Sequence, residues 1–265
     1  MSRVCPDWTL DEVFAGMKRH GYKGFEPRVE WNHSCGIALE LSAVERKEMV
    51  RRFFDEDLEL CCIATGVQMA AEDISVRSGQ IEDLRRYIDL AGDLNCPLLR
   101  TFGGIWSHDK EIKVMVDYVV EGYSQVLDQA CARKVPVLLE THDHWSNSVT
   151  VRAVLEQANH PNLRALWDIM HPQRVFERTT ESFEVLKPYI AHTHAHDGTF
   201  VEGRMTTLPL GEGIFDHLVP LQLLSAANFE GFFSVEVIHT PGSDHDPDGV
   251  LSQYAKEFWN LLEQT

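Results

Sequence analysis

Short apolar runs and amphipathic stretches of helical period alternate along almost the whole chain. The runs at 23–26, 58–63, 97–102, 135–140, 163–168, 189–194 and 231–236 read as strands. Residues 8–20, 42–54, 79–94, 110–133, 147–157, 180–186, 214–226 and 249–262 read as helices. In the first helix Thr9 is placed to cap, Asp11 and Glu12 sit in the opening turn, and Gly21 ends it. Strands that alternate with helices imply a parallel sheet joined by helical crossovers. Seven strands are one short of a (β/α)8 TIM barrel, and only residues 2–5 remain to supply the first. That strand is therefore expected to be short or incomplete. The length of 265 residues suits one such α/β barrel, usually about 250 residues, and no linker or repeat divides it, so residues 1–265 are expected to form a single domain.

Four polar residues stand where predicted strands end: Glu140 in VPVLLETHD, Asp168 in RALWDIMH, His194 in YIAHTHAHDG and Glu236 in FFSVEVIH. In a parallel barrel these ends converge on one face. Three carboxylates and an imidazole make a hard, oxygen-rich site for a divalent ion. A glutamate ending a buried strand is costly without a partner, so the plainer alternative pairs each one with a basic group inside the barrel. Asp168 could instead cap the turn that follows, with His171 an ordinary surface histidine before Pro172. His192, His194 and His196 alternate and so face one side of their strand, His192 deeper among packed residues and His196 beyond the rim. Glu26 and Arg100 fall on inward positions and are expected to form an opposite-charge pair inside the barrel rather than to contact substrate. His142, Asp143, His144 and Trp145 either line the mouth, with Trp145 shielding it from water, or form a solvated loop; Trp31 and His33 present the same choice.

The net charge of −17 removes the basic face that nucleic-acid binding needs and disfavours anionic membranes. No apolar run approaches the roughly 18 residues of a membrane span, and MSRVCPDWTLDE has no signal-peptide core, so a cytoplasmic protein is expected. The six cysteines include no C-x-x-C pair and read as free buried thiols in a reducing compartment.

The segments GYKGFE, LAGDLNCPLLRTFGG, VPVLLETHD, WDIMH, HTHAHDG, LPLGEG and FFSVEV, in this order and spacing, resemble the sugar isomerase and epimerase superfamily with a xylose isomerase-like barrel. The resemblance implies that Glu140, Asp168, His194 and Glu236 hold one divalent ion. The donor set favours Mn²⁺ or Mg²⁺ and leaves Co²⁺ or Zn²⁺ open. It further implies that His171, from the family's D-x-x-H, meets the substrate, and that Glu140 and Glu236 move protons as in ketose 3-epimerases. Arg204 lies where related epimerases use an arginine on substrate hydroxyls, but its spacing differs, and a surface arginine is an equal reading. Endonuclease IV shares this superfamily, yet ATGVQMA and TFGGIW lack its added histidines, so a trinuclear zinc centre is not expected. The glycines of LPLGEG could admit a phosphate at a helix start, which Glu212 would repel.

The expected activity is epimerisation or isomerisation of a sugar or related polyhydroxy carbonyl compound, through an enediolate stabilised by the ion. Dehydration of a cyclic polyol ketone begins with the same proton abstraction, and a barrel that binds sugar or metal without turnover is the non-enzymatic alternative. The partner is a small polyhydroxy molecule; a homo-oligomer is left open.

Overall fold

The computed structural model describes residues 1–107, 109–238 and 245–265. Ten strands occur among them: β1 Gly24–Phe25, β2 Glu59–Leu60, β3 Ile63–Gln68, β4 Leu99–Phe102, β5 Val137–Glu140, β6 Leu163–Asp168, β7 Ile190–Ala195, β8 Asp197–Val201, β9 Arg204–Leu208 and β10 Phe233–Val235. Six form a parallel sheet in the order β10-β7-β6-β5-β4-β3. β1 pairs in parallel with β2, and the bridge between Arg28 and Ala64 carries that pairing on to β3. The apolar run 58–63, read as one strand, is therefore the start of two. β2 faces β1, Cys61 and Cys62 turn the chain, and β3 continues to Gln68 against β4.

The eighth barrel position is filled as its short sequence allows. Ser2–Val4 is a 3-10 turn rather than a strand. The Ser2 amide donates to the Glu26 carbonyl at 2.8 Å, and the amino group of Met1 donates to the Val235 carbonyl at 3.1 Å. The turn thus spans the gap between β1 and β10 through single hydrogen bonds instead of a ladder.

Local signals set most helix ends. Thr9 and Glu12 form a reciprocal capping box on helix Leu10–His20, and Gly21 closes it at φ 77°. Ser42 and Glu45 repeat the box on Ala43–Asp55. The third helix begins at Ile74, earlier than the pattern predicts, because Asp73 caps the amides of Ser75 and Val76. The predicted helix 110–133 is two, Ile112–Ser124 and Leu127–Arg133, separated where Val126 leaves helical geometry at φ −123°.

Alternation along the strands sorts the core. Val137, Leu139, Leu163, Ala165 and Trp167 face the helical layer. Leu138 and Leu166 face inward with Cys61 and Cys62, forming an apolar floor. Each large side chain so buried stabilises the fold by about 1.5–3 kcal/mol. Cys5, Cys35, Cys61, Cys62 and Cys96 are buried free thiols, whereas Cys131 is exposed, contrary to the expectation for all six. No helix among the described residues is long and apolar enough to cross a membrane.

Candidate metal and substrate site

Above the apolar floor the inward positions turn polar. Glu140 ends β5, Asp168 ends β6, His194 lies one residue before the end of β7, and Glu236 follows β10. Parallel register sets Asp168 beside His194 and Ser234 on the other side of His194. The Glu236 amide then donates to the Ala195 carbonyl at 3.0 Å, which fixes that carboxylate next to the imidazole. Glu140, Asp168, His194 and Glu236 each present one donor atom within 4.8 Å of the other three, and all four residues are buried.

His194 Nδ1 lies 2.8 Å from Glu236 Oε2 and 3.2 Å from Glu140 Oε1. Its Nε2 donates to Glu26 Oε1 at 2.9 Å. Glu26 also accepts from His192 Nε2 at 3.0 Å and from the Ser234 hydroxyl at 2.6 Å. A carboxylate behind the far nitrogen of an imidazole is the arrangement that orients metal-binding histidines. Burial opposes charge throughout this cluster, but mutual attraction prevails: Glu26 is held well below the usual carboxylate range by His194 and His192, and Glu236 likewise by His194. His194 is raised well above its usual value by Glu26, Glu236 and Glu140.

Asp168 serves twice. Its Oδ1 accepts from the amides of Met170, at 2.9 Å, and His171, at 3.2 Å, capping the short helix Met170–Arg174. Its Oδ2 accepts from His196 Nε2 at 2.9 Å, with His171 Nε2 at 3.8 Å. Burial disfavours its charge, yet His196 and His171 hold it below the usual aspartate range. His196 is thus buried inside the site, not beyond the rim, because the chain passes from β7 straight into β8 without turning away. His171 is pushed down to about 4 by burial, and its ring lies 4.3 Å from that of His142.

Arg100 and Glu26 are both fully buried and both paired, but not to each other. Arg100 Nε sits 3.2 Å from Glu140 Oε2, and its Nη1 donates to the Thr65 carbonyl at 2.9 Å. Arg3, in the N-terminal turn, brings Nη1 to 3.9 Å from Glu236 Oε1. Burial and then Arg100 push Arg28 down to about 10.

The loop after Glu140 is neither mouth lining throughout nor wholly solvated, for Asp143 is exposed while Trp145 is buried. Trp145 is fully buried, donates from Nε1 to the Gly104 carbonyl at 2.9 Å, and packs on Gly103 so closely that a Cβ there would lie 2.4 Å from its ring. His142 does stand near the site, between Phe102 and His171, with Asp143 at 2.9 Å. Trp31 is half exposed, and His33 Nδ1 lies 2.8 Å from the Ser2 hydroxyl. Arg204 opens β9 opposite Val201 in an exposed hairpin, so the structure does not bring it into the buried cluster. That hairpin was invisible as a strand pair because its residues alternate weakly and lie largely exposed. Beneath it Asp197 accepts from the amides of Gly198, Gly211, Gly213 and Phe215. A Cβ on Gly213 would lie 2.0 Å from Asp197 Oδ1, so LPLGEG closes on a carboxylate, where a phosphate would be repelled.

Sequence reasoning missed Arg3 beside Glu236 and the hydrogen bonds of Glu26 with His192 and His194. The inward position of Glu26 was a signal for the latter; nothing in MSRV foretold the former.

The family model for a xylose isomerase-like TIM barrel matches residues 14–258. No curated protein sequence matches the chain. Among solved structures, the probable 3-DHS dehydratase involved in petrobactin synthesis from Bacillus anthracis is 20% identical with a TM-score of 0.80, covering 98% of this chain and 96% of its own. An L-ribulose 3-epimerase is 15% identical with a TM-score of 0.81, covering 99% and 93%. The D-psicose 3-epimerase of Clostridium cellulolyticum H10 is 13% identical with a TM-score of 0.79, covering 98% and 97%.

Proposed function

From a chain that belongs to the xylose isomerase-like TIM barrel family, we propose a divalent-metal-dependent epimerase or isomerase of a sugar or related polyhydroxy carbonyl compound. The convergence of Glu140, Asp168, His194 and Glu236 within one coordination-sized volume carries this reading. The residues fit a divalent ion on their own chemistry. Three carboxylates and an imidazole are hard donors, and the buried Glu140 Oε2 and Glu236 Oε2 have ion-pair neighbours, Arg100 Nε at 3.2 Å and His194 Nδ1 at 2.8 Å, without a well-aligned hydrogen bond among the described residues. When bound there, the ion, Mn²⁺ or Mg²⁺ by donor type, polarises a carbonyl and supports the charge of an enediolate.

The protein side chains supply the rest. Glu140 and Glu236 flank His194 Nδ1 and are the two groups assigned to remove and return the substrate proton. Return to the same carbon on the opposite face inverts the centre, and return to the neighbouring carbon isomerises. Each of the two glutamates has a guanidinium beside it, Arg100 Nε 3.2 Å from Glu140 Oε2 and Arg3 Nη1 3.9 Å from Glu236 Oε1. His171, buried and neutral, is assigned a hydrogen bond to a substrate hydroxyl. Substrate contact by Arg204 finds no support in its exposed position.

Dehydration remains a second reading, favoured by His142. Burial lowers its basicity, but Asp143 and then Glu140 more than restore it, which leaves an acid beside His171 able to protonate a departing hydroxyl. One experiment tests both. With Mn²⁺ present, a panel of ketoses and cyclic polyol ketones is incubated in deuterium oxide, and exchange and product mass are read together. The proposal expects exchange in the wild type and none with Glu140→Gln or Glu236→Gln. Full exchange in both variants removes their assigned role, and loss of water from the product selects the dehydratase.

A further inference from the structure

Around one side of the site, three guanidiniums and two aromatic rings form an alternating arc. Arg3 Cζ lies 4.3 Å from the centre of the Trp31 ring, and Arg28 Cζ lies 5.0 Å from the same ring. Arg28 Cζ is also 5.6 Å from the Phe102 ring, against which Arg100 Cζ rests at 4.1 Å. The arc ends on the two glutamates assigned to proton transfer, Arg3 by Glu236 and Arg100 by Glu140. In the middle, Arg28 Nε meets Glu30 Oε2 at 3.1 Å.

Three like charges gathered this closely repel one another and need anions. Each has one carboxylate nearby, Glu236, Glu30 or Glu140, but the pairing is uneven and weakest at Arg3. The contact of Arg3 with Glu236 is 3.9 Å, beyond hydrogen-bond length, and its buried Nε has no hydrogen-bond partner among the described residues. Arg100 Nη2 is buried and likewise lacks a partner. A divalent ion held by Glu140 and Glu236 would draw on the same negative charge and leave the arc still less compensated. Guanidiniums held against rings, with Arg3 Nε and Arg100 Nη2 still lacking a hydrogen-bond partner among the described residues, are suited to capture of a carboxylate or phosphate.

We propose that Arg3 and Arg28, ranged about Trp31 beside Glu236, form an anion subsite, and that the substrate is a polyhydroxy carbonyl compound bearing a carboxylate or phosphate. This rests on the reading of the chain as an enzyme of such compounds and specifies its substrate class. The carbonyl end lies at the four-residue cluster, and the anionic end is held at the arc. Trp31, half exposed, forms the wall between the two guanidiniums.

The test is calorimetric binding to Mn²⁺-loaded protein of three probes: D-ribulose, D-ribulose 5-phosphate and 2-keto-D-gluconate. At least one anion is expected to bind tenfold or more tighter than ribulose, and the one that does identifies phosphate or carboxylate as the group. Arg28→Gln should shrink that gap below threefold while leaving the dissociation constant of ribulose in place, and Arg3→Gln should shrink the gap as well. Arg28→Lys, which keeps the charge without the fork, should retain part of the gap. If Arg28→Gln fails to fold by circular dichroism, Arg3→Gln and Arg28→Lys decide. Equal binding of all three probes, binding of none, or a gap that survives in the glutamine variants overturns the proposal. Glu140→Gln separates this inference from the reading beneath it: loss of exchange with the gap intact concerns the base, and a missing gap with exchange intact concerns only the subsite.

Discussion

Arg100 Nε lies 3.2 Å from Glu140 Oε2 with both side chains fully buried, one from β4 and the other from β5. The neighbouring strands therefore deliver opposite charges to a place where neither could stand alone. Removing one partner of such a pair typically costs about 3–5 kcal/mol, because the other is left buried and uncompensated. Arg100→Met is expected to lose that much in urea unfolding. A loss below about 1 kcal/mol would mean that His194 alone holds Glu140 in place.

Glu26 is the carboxylate behind His194. Glu26→Gln keeps the shape but loses the full charge that His192, His194 and Ser234 all address. Outer partners of this type are worth about 10- to 100-fold in metal affinity. A Mn²⁺ titration of folded Glu26→Gln should show a drop in that range, and an unchanged dissociation constant would strip Glu26 of its orienting role.

Metal uptake should release a proton. Without an ion, burial opposes charge on His194, but Glu26, Glu236 and Glu140 raise it well above the usual histidine range, which favours hydrogen on both ring nitrogens. A ligand nitrogen must be bare. The direction follows: affinity rises with pH, by about tenfold per unit while one proton is displaced, and flattens above the raised value. Calorimetry in buffers of different ionisation heat should report about one proton released per Mn²⁺; no release would contradict the protonated resting state.

Asp197 holds the loop before the helix Leu218–Ala226 through three of its backbone amides, Gly211, Gly213 and Phe215, and also accepts from the adjacent Gly198 amide. Asp197→Ala leaves those donors without their acceptor, at a cost of about 1–3 kcal/mol for each that stays buried. Hydrogen exchange at Gly211 and Gly213 should accelerate strongly while exchange in β5 and β6 stays slow. Equal acceleration everywhere would make Asp197 a global rather than a local support.

Much of this was legible because the barrel repeats its own logic. Each of β5, β6 and β7 is an apolar run that ends in or beside a polar residue, and parallel register converts that ending into convergence. What could not be read depended on long-range partners. Arg100 looked inward as plainly as Glu26, but only the strand order decides that its neighbour is Glu140. His196 follows the same alternation as His194, yet whether it leaves the barrel depends on the hairpin behind it. The break at Val126 has no proline or glycine to announce it, and the start at Ile74 is masked by exposed Ile74 and Val76, which blur the helical pattern.

The closure between β1 and β10 has few backbone bonds, and Glu26 reinforces it by reaching from the end of β1 to Ser234 on β10 and the histidines on β7. The stitch that joins the barrel's first and last staves is thereby also the support of a candidate ion ligand. Any breathing of that seam would slacken the imidazole, and any cation gripping the imidazole would pull the seam tight. With an ion bound at that candidate ligand, filling the mouth would also tighten the ring.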